Sequence, residues 1–185
     1  KKPLLLILIA SAITAYTQEI KDFSLTNVKD GKSVSLSDYS SVSGIVVVFT
    51  SHECPYDNYY KERLKELVTA YSGKVQFLLI NSNQEPQESA EQMAIHYSDL
   101  GVPYLADKDQ TAMETFGARK SPEVFLLSKT NGKFAVVYNG AIDDNPQVAK
   151  DVKQTFLKDA LNKVLVGQKV EPVSQRAVGC SIRRK

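Results

Sequence analysis

The sequence predicts an α/β fold: a three-layer α/β/α sandwich around a mixed central sheet, mainly parallel in the middle and antiparallel at one edge, preceded by a small N-terminal hairpin. Three observations predict it. Residues 45–49 and 75–80 are short apolar runs without polar alternation, the pattern of strands covered on both faces. Segments with helical spacing fall between the apolar runs, so strand and helix alternate along the chain. Near the C-terminal side, Asn131-Gly132 separates two further apolar runs, and an Asn-Gly pair there is a strong hairpin signal.

The elements follow in order. Phe23-Ser24-Leu25 and Val34-Ser35-Leu36 flank the turn signal Asp30-Gly31 and form the hairpin. Residues 45–49 are the core strand. Cys54-Pro55 then opens a helix, with Tyr60, Leu64, Leu67, Val68 and Tyr71 on one face and Gly73 at its end. Residues 75–80 are the second buried strand, and the polar stretch 81–88 with Pro86 is a loop. Ser89 and Gln92 make a capping box for a helix with Ala90, Met93, Ala94, Tyr97 and Leu100 inward, closed by Gly101. Residues 102–106 form a short strand, and 107–116 a short helix with Ala112, Met113 and Phe116 inward, closed by Gly117. The hairpin of 123–127 and 134–138 comes next. Asn145-Pro146 caps the last helix, whose face of Val148, Val152, Phe156, Leu157, Ala160, Leu161 and Val164 ends at Gly167. Residues 168–185, polar and with Pro172, form an extended tail.

Length and composition bound the function. At 185 residues, 43% hydrophobic and 24% charged, the chain has material for one domain with a sizeable core. Net charge is only +2, and the basic residues are scattered except for Arg183-Arg184-Lys185, so no nucleic-acid footprint exists. Lys1-Lys2 followed by apolar residues 3–10 reads as a secretory signal peptide spanning 1–17, with Ala10-Ser11-Ala12 as one small-x-small site and Ala15-Tyr16-Thr17 as a weaker one. The run is short for a membrane span, so no stable membrane insertion is expected after cleavage. The mature chain, 18–167 plus the tail, is thus expected outside the cytoplasm, periplasmic or secreted, where disulfides persist.

The candidate chemistry centres on Cys54. Pro55 suits the first helical position, which puts Cys54 at or beside the N-cap, at the carboxyl end of the core strand where open α/β sheets keep their functional crevice. Unpaired N–H groups and the helix dipole there favour thiolate over thiol. His52 favours the thiolate if protonated or donating, whereas Glu53 and Asp57 oppose it. Cys54, His52 and His96 are the obvious soft metal ligands, but no second cysteine lies beside Cys54, helix packing or exposure accounts for His96, and no metal site is expected. Asp143-Asp144-Asn145 is read as a helix cap rather than a calcium loop. Tyr56, Tyr59 and Tyr60 are expected to pack on the sheet and rim the crevice.

Phe49 at the end of the core strand, five residues before a helix-starting cysteine, with Ser121-Pro122 before an apolar strand, resembles the thioredoxin fold and its cis-proline segment. More narrowly the chain is similar to the redoxin branch, the AhpC/TSA-type proteins related to peroxiredoxins. Cys54-Pro55 with Tyr60, the 79–83 and 104–107 segments, Gly117-Ala118 with 121–125, 138–145 and Gly179-Cys180-Ser181-Ile182 carry the resemblance over about residues 20–185. It implies a thioredoxin-like sandwich and a redox-active Cys54. The departures narrow it. A C-x-x-C would need cysteine where Asp57 stands, and the cysteine that some relatives place three before Cys-Pro is Ser51 here. Ser51 fills the Thr/Ser position of the peroxiredoxin motif, where a hydroxyl helps orient a peroxide, but its proline position is Val47. Arg119 is the candidate for the thiolate-stabilising arginine, with Lys120 as the other basic residue. Cys180 is read as a resolving cysteine that condenses with a Cys54 sulfenic acid, a free tail thiol, or half of an intermolecular disulfide.

The function expected is an exported thiol oxidoreductase with Cys54 as nucleophile and Ser51, Pro122, Arg119 and Cys180 around it. Its substrate would be a peroxide or a protein or small-molecule disulfide, with an external thiol as reductant and no cofactor. The alternative is a non-enzymatic binding module that kept the fold after losing the dithiol.

Overall fold

The computed structural model describes residues 19–96, 100–130, 132–171 and 174–185. The expected signal peptide, the mature start at Gln18, and Tyr97, Asn131 and Pro172 lie outside the described residues. The chain runs β1 (Ser24–Asn27), β2 (Ser33–Ser35), β3 (Gly44–Phe49), α1 (Pro55–Ala70), β4 (Val75–Asn81), α2 (Ala90–Ile95), β5 (Tyr104–Ala106), α3 (Thr111–Phe116), β6 (Lys120–Ser121), β7 (Glu123–Thr130), β8 (Lys133–Gly140), α4 (Phe156–Leu165), β9 (Ser174–Gln175) and β10 (Cys180–Ser181).

Eight strands form one mixed sheet in the order β2-β1-β5-β4-β3-β7-β8-β9. Its centre is parallel, β3 beside β4 beside β5, and β7–β8 continues it antiparallel. The expected hairpin is present as β1–β2, Leu25 opposite Val34, and it extends the same sheet by pairing with β5. Residues 45–49 of β3 are wholly buried, which is why the run lacks polar alternation. Period-two geometry sends Val46 and Val48 to one face, with Leu64 and Leu67 of α1, Met93 of α2 and Leu157 and Leu161 of α4. Ile45, Val47 and Phe49 go to the other, with Met113 and Phe116 of α3. Each such side chain contributes roughly 1.5–3 kcal/mol through removal from water.

Three helices differ from expectation. The last was expected to begin after Pro146, but α4 begins ten residues later. Asn145 Oδ1 accepts the N–H groups of Gln147 and Val148, a 3-10 turn spans Ala149–Asp151, and Asp144 then draws the chain back by accepting the N–H of Lys153 and donating its own to Gln154. Asn145 therefore caps a turn, and Val148, expected inward, is exposed. α2 is shorter than expected: Ser89 Oγ accepts the Gln92 N–H, but the helix stops at Ile95, and Ala94, expected inward, is exposed. α3 starts at Thr111 rather than Asp107, because the Asp107 carboxylate stands outside the helix and accepts the N–H groups of Ala112 and Met113.

The tail segment is extended and paired at two places. β9 runs parallel to β8, and Gly140, at φ 123°, sits where a Cβ would run into the Gln175 backbone. β10 pairs antiparallel with β6.

Candidate active site

β3 ends at Phe49, and Thr50 donates its N–H to Ile80 of β4, so the loop 50–53 leaves from the carboxyl edge of the sheet. Cys54 is the N-cap of α1, with extended backbone (φ −85°, ψ 121°), and Pro55 is the first helical residue. Its sulfur is bonded to that of Cys180, with 6.0 Å between the Cα atoms and 126 residues between the two in sequence. The Ser121 carbonyl oxygen lies 3.2 Å from Cys54 Sγ, and the Ser121–Pro122 bond is cis. In the disulfide that sulfur has no proton; once reduced, the same oxygen faces a thiol.

Behind the sulfurs lies a buried polar cluster. The carboxylate of Glu88, buried in the loop that closes onto α2, accepts the Ser51 hydroxyl, the Asn81 amide at 2.5 Å and the Glu53 N–H at 3.3 Å. His52 Nδ1 lies 3.0 Å from Glu88 without the alignment of a hydrogen bond, while Nε2 is 2.7 Å from the Gln87 carbonyl and the ring stacks on His96 at 4.7 Å. Asp57, in the first turn of α1, accepts Thr50 Oγ1 at 2.6 Å and Ser121 Oγ at 2.7 Å. Among the described residues no cation pairs with it, and burial pushes its carboxyl up to about 7, against the downward pull of those hydroxyls.

The expected site residues fall as follows. Cys54, Cys180, Ser51 and Pro122 converge: Ser51 and both cysteines line a cavity of about 270 Å³, and Pro122 is buried beside Ser121. Arg119, expected as the sulfur's cationic partner, has an exposed side chain and is not among the residues lining that cavity. Its backbone matters more: the carbonyl accepts the Ile182 N–H at 3.0 Å. Of the tyrosines, Tyr60 is buried in the core, Tyr56 half-buried and Tyr59 exposed. Sequence reasoning missed Glu88, which carried no local signal, and the hydroxyl cage of Asp57, whose Thr50 and Ser121 donors only the fold brings together.

Comparison with known proteins agrees with the fold. The model of the AhpC/TSA family matches residues 16–160. The chain belongs to that family, a redoxin of the thioredoxin fold. Among curated proteins none matches. An uncharacterized conserved protein from Geobacillus kaustophilus is 30% identical, with a TM-score of 0.82 and 98% of each chain covered. A hypothetical protein from Sinorhizobium meliloti is 29% identical, with a TM-score of 0.80, over 93% of this chain and 95% of that one. The pneumococcal exposed lipoprotein thioredoxin from Streptococcus pneumoniae shares the fold at 22% identity and a TM-score of 0.59, over 80% of this chain and 99% of its own.

Proposed function

We propose that the chain is an exported thiol oxidoreductase in which Cys54 is the attacking thiolate and Cys180 the resolving thiol. One observation carries the reading: a cysteine at a helix N-terminus is joined to the only other cysteine of the chain, far along the sequence. The helix terminus lowers the free energy of the thiolate, which makes Cys54 both a better nucleophile and a better leaving group at neutral pH. With a peroxide, the thiolate attacks one oxygen, the O–O bond breaks, and the departing hydroxide or alkoxide takes up a proton. Cys54 is then a sulfenic acid. The Cys180 thiol attacks its sulfur, water leaves, and the Cys54–Cys180 disulfide remains; an external dithiol returns two electrons and two protons. Ser51 and Pro122 shape the pocket for the incoming oxygen, and Arg119 acts through its backbone by holding the strand that carries Cys180. The basic-then-apolar pattern of residues 1–10 supports export, and among the described residues no helix is long and apolar enough to cross a membrane.

Mass spectrometry after an equivalent of hydrogen peroxide, on reduced wild type beside Cys180→Ser, tests it. A regenerated Cys54–Cys180 disulfide in wild type and a dimedone-trapped sulfenic acid at Cys54 in the variant are expected. An unmodified Cys54 in both would remove peroxide as the substrate.

A further inference from the structure

The C-terminal strand is attached to the domain by much more than its disulfide. Cys180 and Ser181 of β10 pair antiparallel with Ser121 and Lys120 of β6, and the Ile182 N–H donates to the Arg119 carbonyl at 3.0 Å. The Gln110 side chain clamps the next residues: Nε2 donates to the Arg183 carbonyl at 2.6 Å, and Oε1 accepts the Lys185 N–H at 2.9 Å. Gln110 is itself buried, held in the left-handed region at φ 58°, and its amide also reaches the Ser82 carbonyl. Ile182 is buried in the apolar cluster that contains Phe49, Met113 and Phe125. Gly179 approaches so closely that a Cβ there would run into the Ser121 carbonyl. None of these contacts requires the sulfur–sulfur bond.

From them we infer that the strand stays seated when the Cys54–Cys180 bond is reduced and that it closes Cys54 to polypeptide disulfides. The partner reaching Cys54 is then a small molecule that enters through the cavity lined by Ser51, Asn83, Glu88 and Ser181. The inference rests on the proposed role of Cys54 as redox nucleophile. An extended polypeptide approaching Cys54 would need the backbone edge of residues 119–121, and residues 179–182 already occupy that edge. Gly179, Ile182 and Gln110 are the determinants: the first lets two backbones meet, the second anchors, the third clamps. Seated in this way, Cys180 remains beside Cys54 at high effective concentration. With a small disulfide, the Cys54 thiolate attacks one sulfur and the other leaves as thiolate. The Cys180 thiol, after losing its proton to solvent, attacks Cys54 Sγ and expels the second thiolate. Two electrons pass from the two cysteines to the small disulfide, and each released thiolate takes up a proton.

The test uses reduced wild type and Ile182→Asp, with dipyridyl disulfide as the small probe and insulin, whose chains are joined by disulfides, as the polypeptide probe. Release of the first thiopyridone is expected to differ by no more than about twofold between the two proteins. Insulin reduction is expected to be roughly tenfold or more faster in Ile182→Asp. Equal insulin rates in the two proteins would overturn the inference. Hydrogen exchange of wild type supplies a second measure that needs no variant: the Ile182 amide is expected to stay protected after reduction, and loss of that protection would also overturn it. A Cys54 inert to dipyridyl disulfide in both proteins would sink the redox reading instead, while the exchange of that amide still decides where the strand lies.

Discussion

Asp57 and Asp143 are both buried, at 9% and 6% exposure, the first on helix α1 and the second against it, yet they are accommodated in opposite ways. Asp143 sits after β8 against a cation: Arg63 Nη1 lies 2.5 Å from Oδ2, and the Tyr60 hydroxyl donates to Oδ1 at 3.0 Å. Arg63 also stacks over the Tyr60 ring and donates to the Asn145 carbonyl, so helix and loop are joined through one charged pair. Burial raises the Tyr60 phenol above its ordinary range, which keeps it a donor. Asp57, in the first turn after Cys54, has two hydroxyls and the Ser51 backbone but, among the described residues, no cation, with Glu88 adding negative charge nearby. The paired carboxylate ties two elements together. The one without a cation, held by two hydroxyls and the Ser51 backbone, can change its protonation near neutrality.

The largest effect should come from breaking the charged pair. Arg63→Met leaves Asp143 buried without its cation and is expected to cost about 4 kcal/mol, measured by urea unfolding; a loss under about 1 kcal/mol would mean that the two carboxylates are not distinguished by pairing. Next is the pH dependence from Asp57. Its folded value, about 7, lies above the unfolded 3.8, so the stability it contributes is fully present below the unfolded value and is lost as pH rises through the folded one. Wild type should lose up to roughly 4 kcal/mol across that window, and Asp57→Asn should flatten this part of the profile. Smaller still, Ser121→Ala removes one hydroxyl from Asp57 and should cost about 1.5 kcal/mol above pH 7, less at pH 5, because the lost hydrogen bond is strongest to the ionised form. Tyr60→Phe is the matched control. With Arg63 still in place it should cost about 1 kcal/mol by the same measure, without a step between pH 5 and 7.

Legibility followed the range of the interaction. The β3 and β4 runs were readable because burial on both faces leaves an unbroken apolar string. The site cysteine was readable because strand end, Cys-Pro and helix are neighbours in sequence, and the helix terminus that acts on the sulfur is made by the residues that follow it. Ser51 and Pro122 were readable from motif position. Glu88 was not, since nothing within its loop signals that Ser51, 37 residues earlier, and Asn81 will converge on it. Nor was the late start of α4: the apolar spacing across 148–164 is helical, but Asn145 and Asp144 capture the backbone of 147–154, a competition that spacing does not register.

The sequence by itself determined the α/β architecture, the face of each core strand and the placing of Cys54 at a helix N-terminus. Those depend on periodicity and capping within a few residues. Only the tertiary structure decided among the fates open to Cys180. Its partner is Cys54 because Ile182 finds an apolar cluster, Gln110 clamps the backbone beyond it, and a glycine lets that strand press against Ser121. Each of those contacts joins residues far apart in the chain, so each exists only once the sheet has closed, and no local pattern encodes it.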